Sequence, residues 1–414
     1  MIEAALLGAG GRGMFAYASY ALTRPDEIKF VAVAEPDEEK RERFAREHGV
    51  APDRVFASWQ ELLAQPQLCQ ALFICTQDAD HYEPTMKALD AGYDIILEKP
   101  MSTDPLESLA IAQKAERLGR LLSVCHTMRY SNYFSKLKSL IDSGAIGRIV
   151  TIQWTENVGY WHQAHSFVRG NWRNTAESSP MILAKCCHDM DMLQYLVGGE
   201  VVRLSSFGGL RFFKPENAPE GSTKRCTDGC KVEHECPFSA IKWYYNEKDE
   251  WPQSIVSLTP TLEARGKALR EGPYGRCVFQ CDNDVVDHQV INMEFDNEVT
   301  VAFTMSAFST DNTRSFKIMG TAGEIRGYEK HNELEVIRFS GERYKVYPEV
   351  ANGGHGGADR TMMIDFVKQL ASGDNGGKTS GLVSARSHLL AFAAEESRLT
   401  GRTITMSEYV AGLQ

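Results

Sequence analysis

The chain opens with an apolar run that ends in closely spaced glycines, Met1-Ile-Glu-Ala-Ala-Leu-Leu-Gly8-Ala-Gly10-Gly11-Arg12-Gly13. Ala4 to Leu7 suit a buried parallel strand, and Gly8, Gly10 and Gly13 have the spacing that turns such a strand into a helix around a dinucleotide. Gly8 allows the tight turn, Gly10 lets the backbone approach a pyrophosphate, and Gly13 lets the following helix pack on the strand. Gly11 and Arg12 complete the turn, whose N–H groups face the anion. Any sharp strand-to-helix turn favours glycine, so the pattern needs context. The next strand, over 28–34, ends at Glu35, twenty-two residues after Gly13. An acid there binds the ribose hydroxyls and repels a 2′-phosphate, which favours NAD over NADP; Arg12 is the nearby arginine that could accommodate the phosphate.

With 414 residues the chain has room for two or three domains. Its net charge of −10 argues against a nucleic-acid surface, and no block of Lys and Arg reverses that. No apolar run reaches the roughly 18 to 20 residues of a membrane span. No basic segment precedes the first apolar run as it would in a secretory leader, so the ten cysteines are expected as reduced thiols in the cytoplasm.

Strands and helices then alternate. A charged helix over 37–48 and a short strand over 54–57 precede a helix over 59–64, opened by a capping box of Ser58 and Glu61. An apolar strand over 71–75 leads to Thr76, a helix over 81–91 follows, and a strand over 93–97 delivers Glu98-Lys99-Pro100. A helix over 106–118 and a strand over 121–125 complete a doubly wound parallel sheet in a first domain, residues 1–125. Open α/β sheets hold ligands at strand carboxyl ends, where Thr76 and Lys99 lie.

GAGGRG, the acid after Ala-Val-Ala, Cys75-Thr76, His81 and above all Glu98-Lys99-Pro100 resemble the glucose–fructose oxidoreductase, inositol dehydrogenase and rhizopine-catabolism (Gfo/Idh/MocA) family, closely over the first domain. The resemblance implies a Rossmann domain that binds NAD through Gly8, Gly10, Gly11, Arg12, Gly13, Glu35, Thr76, His81, Glu98 and Lys99. It places Lys99 beside the nicotinamide and the reacting hydroxyl. A partly desolvated lysine at a strand end can have its pKa lowered and exchange a proton with an alcohol. A surface salt bridge of Glu98 is the bland alternative.

From residue 126 the pattern changes. A helix over 134–143 closes at Gly144, and β-rich runs at 148–157, 201–207, 285–295, 298–308, 316–320, 323–328, 334–339 and 344–347 are separated by short turns. They predict an α+β domain, 126–414, with a large, mostly antiparallel open sheet. The family's second domain is similar, with one sheet face toward the nucleotide and the other often used for self-association, which implies a dimer or tetramer.

Residues 180–196 read as one helix, apolar on nearly every side, with Lys185, His188 and Asp191 on one stripe. Buried ionisable groups are costly unless paired or facing a polar cleft, so the stripe is a catalytic candidate in which His188 is a base and Asp191 orients it. An internally satisfied ion pair is the alternative. The family's motif commonly runs Asp-x-Gly-x-His-x-x-Asp. Here Ala184 stands at the aspartate and Cys186 at the glycine, with Lys185 added, so a carboxylate that often shares substrate alignment and proton transfer is missing.

Arg129 and the loop residues Tyr160, His165, Arg169 and Trp172 offer donors and aromatic faces for a sugar, or else pack one domain on another. His355, within the glycine-rich run 353–357, resembles the family's His-Gly loop near the substrate; a flexible linker is the alternative. An insertion around 212–282 carries Cys226, Cys230, Cys236, Cys277 and Cys281. Three or four thiolates, with His234 as a further ligand, could hold a structural zinc; reduced thiols or disulfides are the alternative. A last helix over 382–400 is expected to pack on the first domain.

These features point to an NAD-dependent oxidoreductase acting on a sugar, a sugar derivative or a cyclic polyol. Two other readings stay open: a glycoside hydrolase that recycles NAD through transient oxidation, and a nucleotide-binding sensor without turnover.

Overall fold

The computed structural model describes residues 1–351 and 353–413. Strands β1 (Ile2–Leu7), β2 (Ile28–Ala34), β3 (Val55–Phe56), β4 (Ala71–Ile74), β5 (Asp94–Leu97) and β6 (Leu122–Val124) form a parallel sheet in the order β3-β2-β1-β4-β5-β6. The order reverses between β1 and β4, where the crevice beyond the strand ends of such a sheet holds its ligand. Both faces are covered, which explains the unbroken apolar runs. Leu6, Phe73 and Ile96 join one core with Tyr17 and Phe44; Leu7, Leu72 and Leu97 join the other. Helix Ala358–Ser372 adds Met362 and Phe366 to the first of these cores, so the end of the chain returns to the nucleotide-binding sheet.

The capping signals form with one displacement. Ser58 Oγ accepts from Glu61 N–H at 3.3 Å, while the Glu61 carboxylate accepts from Ala57 N–H at 3.1 Å, one residue earlier than in the usual box. Asp104 accepts from two N–H groups and caps helix Pro105–Arg117.

The second sheet contains β7 (Ile149–Gly159), β8 (Val201–Gly209), β9 (His288–Phe295), β10 (Thr300–Ser309), β11 (Thr313–Gly320), β12 (Gly323–Tyr328), β13 (Glu333–Arg338), β14 (Arg343–Val346) and β15 (Ile404–Thr405). Its order is β14-β13-β12-β11-β7-β10-β9-β8-β15. All neighbours are antiparallel except β7 and β10, which are parallel. Ile152, Trp154, Ile291, Phe303 and Ile318 face a core shared with Leu193 and Leu390 of two covering helices, Cys187–Val197 and Gly381–Thr400. On the opposite face Phe207 and Val290, paired across β8 and β9, are 59% and 38% exposed.

The insertion between β8 and β9 builds small clusters of its own, one around Phe213, Phe238 and Phe279 and another around Ala240, Tyr244 and Leu269. Among the described residues no helix is long and apolar enough to cross a membrane.

Candidate active site

The glycine turn at the end of β1 has three distinct positions. Gly8 has a φ of +88°, and a Cβ there would lie 2.4 Å from the Cys75 carbonyl oxygen. A Cβ on Gly13 would lie 2.3 Å from the Gly8 carbonyl oxygen. Both are closed to larger residues, by the tight turn and by helix–strand packing. Gly10 is the opposite case, because a Cβ there would meet nothing within 4 Å. It is the N-cap of helix Gly11–Ala18, the place where a pyrophosphate meets first-turn N–H groups, and a Cβ on the next residue, Gly11, would lie 3.3 Å from Ile255 of the insertion. These residues fit a dinucleotide.

Glu35 is 8% exposed at the end of β2. Its carboxylate accepts from Ala9 N–H at 2.7 Å and Asp37 N–H at 2.9 Å, which ties the acid to the glycine turn and leaves lone pairs for a ribose hydroxyl. Arg41, which no motif marks, donates to the Glu35 carbonyl oxygen at 2.7 Å. Arg12 turns away from this end, contrary to expectation. Its guanidinium pairs with Glu98 at 2.7 Å and Asp359 at 2.9 Å and bonds to Tyr17. Both carboxylates are buried and need a counter-ion, so Arg12 joins the glycine turn to the loop after β5.

Burial pushes the Glu98 carboxyl up, but the Arg12 and Lys99 charges and the hydrogen bonds from Tyr17 and Arg12 outweigh it and hold the group below its usual range. A carboxyl lowered on folding adds stability that is complete above its unfolded pKa, about 4.3, and is lost as pH falls through the folded value. The difference in urea-unfolding stability between the wild type and Glu98→Gln should therefore be widest near neutrality and shrink as pH falls below about 4. A pH-independent difference would show that the ionised carboxylate is not the stabilising form.

His81 is 1% exposed. Its Nδ1–H donates to the Pro100 carbonyl at 2.6 Å and its Nε2 lies 3.2 Å from the Thr76 carbonyl, so it clamps the loops after β4 and β5 together. The Thr76 hydroxyl donates to the Asp80 carbonyl at 2.8 Å.

Lys99 follows β5. Its Nζ donates to the Ala184 carbonyl at 2.6 Å and lies 5.8 Å from the centre of the Trp172 ring, which is anchored by an Nε1–H bond to Asp78 at 3.1 Å. The helix read over 180–196 is broken here into Met181–Ala184 and Cys187–Val197, with Lys185 and Cys186 as the join. A helix leaves its last carbonyls unsatisfied, and Lys99 takes that of Ala184. The break also removes Lys185 from the stripe of His188 and Asp191.

Lys185 Nζ is instead 3.4 Å from Glu156 on β7. Glu156 is completely buried and also pairs with Arg314 of β11 at 2.7 Å. Arg314 reaches Asp189 at 3.0 Å, and Asp189 accepts from Trp154 Nε1–H at 2.8 Å. Burial pushes the Glu156 carboxyl up against the opposing pull of Arg314 and Lys185. None of Glu156, Asp189 and Arg314 is marked by a motif.

His188 is 7% exposed, with its ring centre 5.7 Å from that of His126, which lies 5.3 Å from that of His388. Burial pushes His126 and His388 each down to about 3, so both are neutral at pH 7. Asp191, expected to orient His188, gives both oxygens to Arg129 at 2.7 Å. Arg129, expected on the substrate wall, is 6% exposed and also donates to the Lys378 carbonyl. The two form a buried ion pair.

Residues 2–126 match the model of an oxidoreductase family with an NAD-binding Rossmann fold, and residues 138–406 match the alpha/beta C-terminal domain of the same family. The chain belongs to the Gfo/Idh/MocA oxidoreductase family. Within it, the putative oxidoreductase YteT of Bacillus subtilis (strain 168) is 24% identical over 314 residues, 71% of each protein. The scyllo-inositol 2-dehydrogenase (NAD(+)) of that organism is 27% identical over 211 residues, covering 50% of this chain and 57% of the relative. Levoglucosan dehydrogenase in complex with NADH and L-sorbose has the same fold, with a TM-score of 0.72 at 20% identity over 98% of both chains. So does an oxidoreductase from Agrobacterium radiobacter in complex with NAD+, L-tartaric acid and magnesium, with a TM-score of 0.68 at 17% identity over 98% of this chain and 99% of that one.

Against that Gfo/Idh/MocA framework, the insertion redirects much of the expected substrate wall. Trp172 reaches Lys99, but Tyr160 packs on Phe238 and Trp243 with ring centres 5.9 and 6.2 Å away. His165 stacks on Tyr274 at 4.7 Å and lies 3.1 Å from the Tyr244 hydroxyl. Arg169 is 1% exposed and donates to the Arg276 and Phe238 carbonyls at 2.7 Å. Tyr160 and His165 thus pack on aromatic rings of the insertion and Arg169 is held by its backbone carbonyls, and Trp172 is the one of the four with a contact to Lys99 among the described residues. His162 of the same loop feels both burial and the Lys185 charge, which push its pKa well below the usual value. The side chain of His355 lies outside the described residues.

Cys226, Cys230, Cys236 and Cys277 line one cavity of about 20 Å³, and the Cys281 thiol donates to the Cys277 carbonyl at 3.3 Å. All ten cysteines are free, and among the described residues no group of three or more His, Cys, Asp or Glu side chains is placed to hold a metal ion. Burial pushes the Cys277 thiol up to about 11 and raises Cys236 and Cys281 as well. The structural zinc suggested by the spacing is not supported.

Proposed function

We propose that this Gfo/Idh/MocA protein is an NAD-dependent dehydrogenase that oxidises a secondary alcohol of a sugar, a sugar derivative or a cyclic polyol at Lys99. The observation that carries this reading is the position of the Lys99 amine: it extends from the carboxyl end of β5, one strand from the switch point of the sheet, to a neutral backbone carbonyl. Relatives named as inositol and levoglucosan dehydrogenases support ring alcohols as the substrate class.

A bound nicotinamide nucleotide supplies the hydride acceptor. Gly10 and the first-turn N–H groups would hold its pyrophosphate, and Glu35 would take its ribose hydroxyls. Lys99 accepts the proton at the substrate hydroxyl oxygen and exchanges its bond to Ala184 for one to that oxygen. His188 holds a neighbouring hydroxyl and passes the proton outward. Lys185, its charge balanced by Glu156, donates to a further ring oxygen. Trp172 covers the amine and excludes water from one side.

In this reading residues 1–125 form the cofactor domain and residues 126–414 the domain for substrate and self-association. The exposed Phe207–Val290 pair on the outer sheet face supports a homodimer or tetramer, and the free thiols suit the cytoplasm.

A panel of sugars, cyclic polyols and glycosides, incubated with NAD while NADH absorbance and released aglycone are followed, tests the proposal. Net NADH, one per product, is expected. Aglycone release that needs only catalytic NAD would make the protein a recycling glycosidase, and nucleotide binding without turnover would make it a sensor. Separately, Glu35→Ala should narrow the preference for NAD over NADP about tenfold or more, by removing a charged partner of the ribose while Arg41 remains. An unchanged ratio of kcat/KM values would assign the preference to other groups.

A further inference from the structure

Arg169 borders the cysteine cavity and also a wider opening of about 230 Å³, whose other walls include Arg173, Arg225, Arg276 and Glu271. Four guanidinium groups thus meet a single carboxylate among its lining residues. Arg173 and Arg276 are balanced from behind by Asp282, each at 2.8 Å, and Arg173 also by Glu177 at 2.8 Å.

Arg169 and Arg225 are different. Arg169 donates to the Arg276 and Phe238 carbonyls and to the Cys226 sulfur at 3.9 Å and interacts with the Tyr244 hydroxyl; among the described residues its buried Nη1 has no hydrogen-bond partner. Arg225 donates to the Leu269 carbonyl at 2.9 Å and to that of Gly272. Neither set contains a carboxylate. A cation held away from water by neutral groups alone is costly, and the cost falls when an anion joins it. Guanidinium forks suit phosphate, sulfate and carboxylate oxygens, and several in one concavity make a directional anion site.

We propose that this pocket binds an oxyanion-bearing small molecule, with Arg225 as the main donor and Arg169 as the buried charge in its wall. The Arg169–Arg173 stretch that forms one wall also carries Trp172 over Lys99, so the pocket flanks the proposed active site. Two sources share this chemistry: the charged end of a substrate, and a separate effector. Anion binding itself does not rest on the dehydrogenase reading.

Isothermal titration of the full-length protein with inorganic phosphate, at constant ionic strength and with chloride as the control anion, tests the site. Saturable binding of one phosphate per chain is expected, with sulfate competing, and Arg225→Gln should weaken it at least about tenfold. Arg225→Lys, which keeps the charge but loses the fork, should fall between the two. Because Arg225 also braces the Leu269 and Gly272 carbonyls, the thermal midpoint of the wild type is followed in parallel, and phosphate should raise it above the chloride control. Heats or midpoints equal to those in chloride, or undiminished affinity in a folded Arg225→Gln, would overturn the proposal. Repeating the titration in the presence of NAD and carboxylated or phosphorylated sugars separates the sources: competition marks a substrate end, and simultaneous binding marks an effector.

Discussion

Lys99→Ala should bind NAD as the wild type does yet turn substrate over roughly 10²–10⁴ times more slowly, the range by which a positioned general base accelerates a proton transfer. The side chain meets a backbone carbonyl of another segment and the face of Trp172, so its removal leaves the glycine turn and Glu35 intact. The vacated Ala184 carbonyl costs about 1–3 kcal/mol of stability, and the thermal midpoint is followed alongside the rate. Lys99→Arg retains a cation but cannot release its proton near neutrality, so it should fail almost as completely. Fluorescence titration with NADH and single-turnover rates separate binding from chemistry. A rate within about threefold of the wild type would remove Lys99 from the proton path.

The largest effect on stability is expected from Arg314→Leu, about 3–5 kcal/mol. Arg314 is the shared partner of Glu156 and Asp189, both completely buried, and its loss strands two carboxylates in the core between β7 and helix Cys187–Val197. Lys185 at 3.4 Å compensates only one of them. By contrast, breaking the exposed Arg203–Glu294 pair on the sheet surface should change stability by about 1 kcal/mol or less. Urea unfolding of the two variants side by side gives the comparison. A loss below about 1 kcal/mol for Arg314→Leu would show that water or a rearranged Lys185 already solvates the network.

The cofactor turn and the loop after β5 were readable from sequence because their signals are contiguous. Gly8 and Gly13 meet backbone atoms within one strand–turn–helix unit or its neighbouring strand, and their spacing states that requirement directly. The active-site helix was harder. Its break at Lys185 depends on an amine 85 residues earlier that caps Ala184 and on a carboxylate from β7, and neither leaves a mark in the local apolar pattern. The pairing of Arg12 is hidden for a similar reason: its turn points to the nucleotide, while Asp359, near the other end of the chain, supplies a buried carboxylate that no local pattern announces. The apolar run around Asp191 marks it as a buried ion, but Arg129 reads only as a substrate donor, and their mutual pairing is a tertiary fact. In the insertion the cysteine spacing suggests a metal, whereas His165 stacks on Tyr274 and Arg169 is held by the Arg276 and Phe238 carbonyls, partners 69 to 109 residues away that leave no local mark.

The central claim is that this chain moves hydride from a ring carbinol to a nicotinamide while Lys99 takes the hydroxyl proton. Its most direct test uses a panel substrate carrying deuterium at the reacting carbon, with mass analysis of the nucleotide after one turnover. The account predicts deuterium on the nicotinamide ring, one label per oxidised product, and loss of that transfer in Lys99→Ala. Oxidised product formed with an unlabelled nicotinamide would contradict it.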